Sequence, residues 1–348
     1  MTEGAPPPSV VPSAGEGSGR REGNRTRSTN VLCGVYAALP TPLGDDGEPD
    51  VSSLDALIEF LLGDGVSGFC VGGVTGEYPI YSVAGRDRLF RHVAQRTAGR
   101  VPLVFGIGAE HSRQALGMAK VAKDLGAIAV LLPPPSYFRF DPLDVPEMMR
   151  QVSESLPLPV VLYHIPQFTN NLGASDALAL VRSVENIVGV KDSSGDRLTL
   201  EQFAAAKRSA DVVLMAGSDD LFLSALALNA DGAISGLSCI FPKLMLGIYD
   251  AFRKGAKQRA AELQALVQEL AAAVNELPTP WGIKIALEVQ GFHMGSLSWP
   301  CGSRLAARTV RFRKWFENWA LLVRQRLSDS PSVAGKDGFK SEGRYGQT

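Results

Sequence analysis

Short apolar segments alternate with amphipathic segments along most of the chain, and this alternation restricts the possible folds more than any other feature. In the amphipathic segments, apolar residues recur at intervals of three and four, which is typical of helices with one buried face. Strands that alternate with helices form parallel sheets, and eight of them over roughly 250 residues predict a closed barrel. The eight apolar runs lie at Val31–Ala38, Gly68–Val71, Leu103–Ile107, Ala127–Leu132, Val160–Ile165, Ile187–Lys191, Val212–Ala216 and Gly232–Ile234.

An open, doubly wound sheet is the structural alternative, and it usually carries a glycine-rich turn after its first strand. The nearest match, Gly106-Ile-Gly-Ala-Glu110, follows the third strand and lacks the final glycine. The predicted fold is therefore α/β, a (β/α)8 TIM barrel over residues 31–242 with extra C-terminal helices over residues 243–327. Residues 1–30 are predicted to be a disordered extension because they contain almost no large apolar residue, and residues 328–348 a flexible tail.

Charge and composition exclude several classes of partner. The chain has 35 Lys and Arg against 36 Asp and Glu, without a basic stripe, so nucleic acid is not expected to bind. No apolar run is long enough to cross a bilayer, and no membrane partner is predicted. The four cysteines and four histidines lack metal-ligand spacing, so no metal site is expected. Widely spaced cysteines predict buried thiols in a reducing compartment, and the predicted location is cytoplasmic.

Lys191 closes the apolar run that begins at Ile187 and precedes a turn that begins at Asp192. The run predicts a buried strand, and a lysine at the end of such a strand is costly to bury. Desolvation disfavours an ammonium group, and the neutral amine that it favours can attack a carbonyl carbon. Alternatively, the side chain extends to the surface and pairs with Asp192. The segment by itself leaves both interpretations open.

Enzymes with this fold place their chemistry on the loops that follow the strands. Tyr163 and Lys191 end neighbouring predicted strands, so both are expected to point into one cavity. The Tyr163 hydroxyl could move the protons that imine chemistry requires, or bond a backbone group as buried tyrosines often do. Thr75 lies in a glycine-flanked turn before a helix and could hold a substrate carboxylate. Alternatively, the glycines of that turn serve backbone geometry alone.

These segments resemble the dihydrodipicolinate synthase/N-acetylneuraminate lyase superfamily, a group of class I barrels that form Schiff bases. The resemblance extends from about Val31 to Leu327, with six motifs in the family's order and spacing. They are Thr41-Pro42 with Asp46-Gly47, Gly73-Val-Thr-Gly-Glu77, Tyr163-His-Ile-Pro166, Gly189-Val-Lys-Asp192 with Gly195-Asp196, Gly217-Ser-Asp-Asp220, and Ala230-Asp-Gly-Ala-Ile-Ser235. The resemblance implies a covalent imine on Lys191, with no metal or organic cofactor.

The same resemblance implies roles for other residues. Tyr163 would be the general acid/base, and Thr75 would bind the carboxylate of a small-molecule 2-oxo acid. The chain around Ile234 and Gly236 would line the pyruvate pocket. Tyr137 aligns with a tyrosine that takes part in catalysis in the neighbouring subunit's site. A homo-oligomer, either a dimer or a tetramer, is therefore expected.

Two positions in the substrate site depart from the family pattern. Val74 replaces a threonine that links two tyrosines in a proton relay in the synthases, and sialic-acid lyases place a serine there. Phe168 replaces the arginine that captures the carboxylate of aspartate semialdehyde. Since a phenyl ring cannot make a charge-assisted contact with a carboxylate, Phe168 disfavours that substrate.

The predicted activity is that of a class I lyase or aldolase. It would cleave a 2-keto-3-deoxy sugar acid or a 4-hydroxy-2-oxo acid to pyruvate, or a glyoxylate-type product, plus an aldehyde. Two enzymatic alternatives are dehydration of a deoxy sugar acid and condensation of pyruvate with aspartate semialdehyde. A catalytically inactive barrel that only binds a ligand is the third alternative. Val74 favours it, whereas the presence of both Lys191 and Tyr163 opposes it.

Overall fold

Eight parallel strands form a closed barrel in the computed structural model, which describes residues 32–207 and 212–328. The strands pair in sequence order, and the first pairs with the last. This arrangement confirms the predicted (β/α)8 TIM barrel. The strands are β1 (Gly34–Ala38), β2 (Gly68–Val71), β3 (Leu103–Gly106), β4 (Ala129–Leu132), β5 (Val160–His164), β6 (Ile187–Asp192), β7 (Val213–Ala216) and β8 (Gly232–Ser235).

A helix follows each strand and covers the outside of the barrel, and three further helices follow the eighth unit. The barrel helices are α1 (Leu54–Gly63), α2 (Val83–Thr97), α3 (Ser112–Asp124), α4 (Val145–Ser155), α5 (Ala174–Ser183), α6 (Arg197–Lys207), α7 (Phe222–Ala227) and α8 (Pro242–Arg253). The additional helices are α9 (Lys257–Asn275), α10 (Trp281–Val289) and α11 (Ser303–Ser328).

The strands are buried on both faces, which explains why they appear in the sequence as short continuous apolar runs. One face of each strand contributes to a core inside the barrel, where Tyr36, Val104 and Met215 pack together. The other face packs against the helices in a larger core that includes Phe69 and Phe105. Charged side chains on these strands are therefore held in enclosed surroundings.

Two predicted boundaries differ from the observed elements. The predicted end of the barrel at residue 242 falls at the beginning of α8, so the eighth strand–helix unit continues to Arg253. Proline is favoured at the first position of a helix, where its missing N–H is not needed. Ser328 ends α11 instead of beginning a tail. The rest of the predicted tail and the predicted extension of residues 1–30 lie outside the described residues.

All four cysteines lie in the described part of the chain, and no disulfide joins them. Cys70 and Cys239 are buried, whereas Cys33 and Cys301 are exposed, so the prediction of buried thiols is wrong for two of them. Cys33 precedes β1, and Cys301 precedes α11, where little of the chain packs over them. None of the described helices combines the length and the apolar character that a membrane span requires.

Candidate active site

Lys191 and Tyr163 lie side by side at the carboxyl end of the barrel. Strands β5 and β6 pair in a register that sets Tyr163 opposite Lys191. The Lys191 Nζ atom lies 4.2 Å from the centroid of the Tyr163 ring. Both residues are buried, with exposed fractions of 4% and 5%. The alternative in which Lys191 extends to the surface is therefore wrong, and the Asp192 carboxylate instead accepts a hydrogen bond from the Ser194 N–H.

The absence of a side chain at Gly217 makes room for Lys191. A Cβ atom built on Gly217 would lie 2.8 Å from Lys191 Cε and would also overlap Ser193 Oγ. Gly217 follows β7, the strand beside β6. The Lys191 stem therefore passes directly over the neighbouring loop, and a larger residue there would displace the amine.

A cavity of about 350 Å³ surrounds this pair at the mouth of the barrel. Its volume is within the range of small-molecule sites. All but one of the predicted site residues line it: Lys191, Tyr163, Val74, Thr75, Phe168, Ile234 and Gly236. The structure therefore brings together residues from the ends of β2, β5, β6 and β8.

Thr75 lies against the loop that follows β8. A Cβ atom built on Gly236 would be 2.6 Å from Ile283 Cδ1 and 3.3 Å from Thr75 Oγ1, so a larger residue at this position would displace its neighbours. The turn that carries Thr75 is closed by a hydrogen bond from the Gly76 N–H to the Gly73 carbonyl, at 3.1 Å. The Thr75 hydroxyl is thus held at the border of the cavity, where it is available to a bound anion.

A buried ion pair anchors the end of this turn. Glu77 adopts a left-handed backbone conformation with φ of 52°, and its Oε2 accepts a hydrogen bond from Lys284 Nζ at 2.8 Å. Ser298 Oγ donates to the other carboxylate oxygen at 3.2 Å. Glu77 and Lys284 are both buried, and Lys284 belongs to α10. Lys284 could not be predicted from the sequence, because no local pattern pairs two residues that are so distant in the chain.

Helix α9 and the segment before α10 form the outer wall of the cavity. Ala271, Val274 and Asn275 contribute from α9, and Thr279 and Pro280 from the following segment. The sequence indicated extra helices but not which face of the barrel they cover. Their position shows that the cavity is completed by residues beyond the eight strand–helix units.

Two aspartates on the loop after β7 add negative charge to the cavity wall. The motif was visible in the sequence, but no role was predicted for Asp219 or Asp220. Burial raises the pKa of the Asp219 carboxyl to about 6. Hydrogen bonds from Ser235 and from the Leu237 N–H, together with the charge of Lys191, oppose this increase. Asp219 thus has a pKa much closer to neutral pH than an exposed carboxyl group has.

Tyr137 is the predicted site residue that the structure does not bring to Lys191. It is 83% exposed and lies with Phe138 and Phe140 at a separate cavity of about 550 Å³ beside α3 and α4. Its predicted contribution to the site of a neighbouring subunit stays a prediction.

No group of three or more His, Cys, Asp or Glu side chains in the described part of the chain is arranged to hold a metal ion. The reactive side chains that line the cavity are the amine of Lys191, the phenol of Tyr163, serine and threonine hydroxyls and two carboxylates. The prediction that no cofactor is needed stays a prediction.

Comparison with known proteins gives consistent matches over most of the chain. A family model described as the dihydrodipicolinate synthetase family matches residues 31–309. An uncharacterized DapA-like lyase from Halobacterium salinarum is 32% identical over 269 residues, which cover 77% of this chain and 88% of that protein. A 4-hydroxy-tetrahydrodipicolinate synthase from Methanothrix thermoacetophila is 32% identical over 267 residues, which cover 77% and 90%.

The fold also matches solved structures. YagE, a prophage protein of the dihydrodipicolinic acid synthase family from E. coli K12, was crystallised in complex with pyruvate. It superposes with a TM-score of 0.77 at 25% sequence identity, and the match covers 83% of this chain and 99% of that one. The similarity therefore extends over most of the chain.

Proposed function

The chain belongs to the dihydrodipicolinate synthetase family, a family of lyase and aldolase type, and we propose that it is a class I lyase acting through a Schiff base on Lys191. One observation carries this proposal. The Lys191 amine is buried at the carboxyl end of a closed barrel, with the Tyr163 ring 4.2 Å away. A lysine amine in this position can act as the nucleophile that attacks a carbonyl carbon.

The proposed reaction begins when Lys191 Nζ attacks the ketone carbon of a 2-oxo acid. The resulting carbinolamine loses water and becomes an iminium ion. Tyr163 then removes the proton from the hydroxyl group on the carbon that becomes the aldehyde. The electrons of that carbon–carbon bond move to the iminium nitrogen, and an aldehyde leaves. Protonation of the enamine carbon and hydrolysis release pyruvate and restore the amine of Lys191.

The carboxylate of the 2-oxo acid is assigned to Thr75, whose hydroxyl borders the cavity next to Gly236. A 2-oxo acid as the ligand of this site is supported by a similar protein, YagE, whose structure contains pyruvate. Ile234 and Gly236 line the same part of the cavity. An anion held at this point would leave the ketone directed towards Lys191.

The rest of the cavity favours an aldehyde part that carries hydroxyl groups but no second carboxylate. Phe168 lines the wall with an apolar ring, and Val74 provides no hydroxyl. Ser193, Ser218 and Asp219 also line the cavity and can accept or donate hydrogen bonds. A 2-keto-3-deoxy sugar acid or a 4-hydroxy-2-oxo acid fits this distribution of polar groups.

Condensation of pyruvate with aspartate semialdehyde is the second candidate. It is favoured by the relative from Methanothrix thermoacetophila, which is named as a 4-hydroxy-tetrahydrodipicolinate synthase. Phe168 opposes it, because no positive charge stands at that position to bind the second carboxylate. Both reactions would use the same imine on Lys191.

Borohydride reduction in the presence of pyruvate tests the imine directly. We expect a reduced pyruvate adduct on the Lys191 peptide in the mass spectrum, and none in Lys191→Ala. Lys243→Ala, which removes an exposed lysine, is the matched control and should leave the adduct intact. An unmodified Lys191 peptide from the wild-type protein would contradict the proposal.

A panel of 2-oxo acids then separates the possible reactions. Release of pyruvate indicates cleavage, and conversion without pyruvate release indicates dehydration. Consumption of pyruvate only when aspartate semialdehyde is present indicates condensation. Thermal stabilisation by a 2-oxo acid without any trapped adduct would instead indicate a barrel that only binds its ligand.

A further inference from the structure

The loop after β7 places carboxylate groups in the cavity that contains Lys191. The charged side chains that line this cavity in the described part of the chain are Lys191, Asp219 and Asp220. Asp220 is exposed, whereas Asp219 Oδ1 is shielded from solvent and has no hydrogen-bond partner. A shielded carboxylate oxygen without a donor is costly to maintain, so Asp219, which lines the cavity, has an oxygen that can take up a proton or a further hydrogen bond.

The position of Asp219 is held from three sides. Its Oδ2 accepts a hydrogen bond from the Leu237 N–H at 3.4 Å, and the Ser235 side chain lies near enough to lower the pKa of the carboxyl. Gln264, a buried residue of α9, donates to the Asp219 carbonyl at 3.0 Å. The Gln264 Oε1 in turn accepts from the Leu223 N–H at 2.9 Å. The loop is therefore fixed, and Oδ1 stays free because the other contacts do not use it.

The charged and titratable groups that face Asp219 come from several elements. Lys191 on β6 attracts the carboxylate, and Asp220 on the same loop repels it. Cys239, which follows β8, is buried; its thiol pKa is raised by burial and by the negative charge of Asp219. Lys191 acts on Asp219 through space, since the described residues show no direct ion pair between them. A proton passing between the two must therefore travel through the reacting molecule or a water molecule.

We propose that Asp219 exchanges protons with the molecule that reacts at Lys191. The inference rests on the proposed function, because it requires the imine. In the first step, the carboxylate accepts the proton that the Lys191 ammonium releases as the amine forms and attacks the ketone. In the second, the carboxylic acid returns this proton to the carbinolamine hydroxyl, which leaves as water. The sum converts ammonium and ketone into iminium and water, with Asp219 again ionised.

The acidity of Asp219 supports this role. Proton exchange is most effective when the pKa of the group is near the working pH, and burial raises the pKa of Asp219 to about 6. Tyr163 keeps its separate task of accepting the hydroxyl proton during cleavage. The two groups approach Lys191 from different strands, since Tyr163 belongs to β5 and Asp219 follows β7.

The test measures the rate of imine formation between about pH 5 and 8, by mixing with pyruvate, quenching with borohydride and counting adducts. Below the pKa of Asp219 the carboxyl is protonated and cannot accept a proton, so the wild-type rate should rise with pH through about 6. In Asp219→Asn, we expect the rate at neutral pH to fall by about a hundredfold. We also expect the rise near pH 6 to disappear, while the final fraction of adduct stays similar.

Asp220→Asn is the matched control, because Asp220 belongs to the same loop and lines the same cavity but is exposed. It should keep the rise of the rate with pH, displaced to lower pH, because loss of the Asp220 charge lowers the pKa of Asp219. If Asp219 only supports the structure, Asp219→Asn would lower the rate of adduct formation at every pH, and the rise of the rate near pH 6 would remain. The wild-type profile also tests the proposal without any variant, so a failure of Asp219→Asn to fold would not prevent a decision.

Two results would overturn the proposal while the proposed function survives. One is a wild-type rate without a change near pH 6, and the other is an Asp219→Asn profile equal to that of the wild type. If the wild-type protein forms no adduct at all, the proposed function fails and this inference fails with it.

Discussion

At the scale of single residues, the site depends on one irregularity in the barrel. Strands β5 and β6 shift register between Val160 and Val161, so that Val160 pairs with Ile187 but Val161 pairs with Gly189. Without the shift, Tyr163 would lie opposite Val190 instead of Lys191. Because successive side chains of a strand point to opposite faces, such a change would separate the phenol from the amine.

Replacing Tyr163 with phenylalanine should separate the formation of the imine from the cleavage of the carbon–carbon bond. Tyr163→Phe keeps the ring that packs beside Lys191 but removes the hydroxyl group. We expect imine trapping with pyruvate to persist, while pyruvate release from the cleavable substrate falls by about 10²- to 10⁴-fold. Paired measurements of adduct formation and turnover check this prediction.

Loss of both activities in Tyr163→Phe would show that the hydroxyl is also needed to form the imine. Retention of both would remove Tyr163 from the mechanism. A thermal unfolding curve equal to that of the wild type serves as the control for folding.

At the scale of elements, the additional helices are part of the site rather than an attachment to the barrel. Helix α9 closes the cavity and, through Gln264, holds the loop that carries Asp219. Helix α10 supplies Lys284, which holds the turn that carries Thr75 through Glu77. Both loops that contact the proposed substrate are therefore supported by elements outside the eight repeated units.

The buried pair should make a large contribution to stability. Glu77→Gln leaves the Lys284 ammonium buried without a compensating charge, and removal of one partner from such a pair typically costs about 3–5 kcal/mol of unfolding free energy. Chemical denaturation of the purified variant measures this loss.

Asp87→Asn is the matched control for this experiment. It removes a carboxylate from the exposed pair of Asp87 and Arg91, one turn apart on α2, and should not measurably change stability. If Glu77→Gln is as stable as the wild type, the pair does not anchor the turn.

At the scale of the whole molecule, the surface between β4 and α4 exposes a group of large apolar side chains. They are Tyr137, Phe138, Phe140 and Leu143. Exposed apolar patches on otherwise polar surfaces commonly mark contacts between proteins. This surface also contains the residue that the sequence places near a neighbouring subunit, and both observations favour a homo-oligomer.

We predict that the protein forms a dimer or tetramer through this surface. Light scattering during size-exclusion chromatography should give a mass that is a multiple of that of the chain. The double variant Tyr137→Ser with Phe138→Ser should shift the distribution towards smaller species. Leu198→Ser, which removes an equally exposed apolar residue on α6, is the control. A wild-type monomer at assay concentrations would contradict this prediction.

Much of the fold could be predicted because each element leaves a local signature. Burial on both faces makes every strand an apolar run, and the observed β2 has the predicted bounds of Gly68–Val71. The end of the barrel was harder to place, because α8 continues the helical pattern of the segments that follow it. The positions of Lys191 and Thr75 at the barrel mouth could be predicted because each follows directly from the end of a strand.

Other parts of the site depend on contacts that no local pattern encodes. The loop that carries Tyr137 is held by Asn170, whose Nδ2 donates to the carbonyls of Pro135 and Phe138, both at 2.8 Å. Those residues are more than thirty positions away in the chain. No local pattern in the sequence therefore places this loop, and the expectation that Tyr137 reaches a neighbouring subunit's site came from the family resemblance alone.

By itself, the sequence determined the eight strands, their alternation with helices and the residues at the strand ends. Only the tertiary structure decided that Tyr163 faces Lys191, that Lys284 neutralises Glu77 and that one oxygen of Asp219 has no partner. The physical reason is the range of the interactions. The period of apolar residues is set within a single turn or strand, whereas register, burial and ion pairing arise only when distant segments pack together.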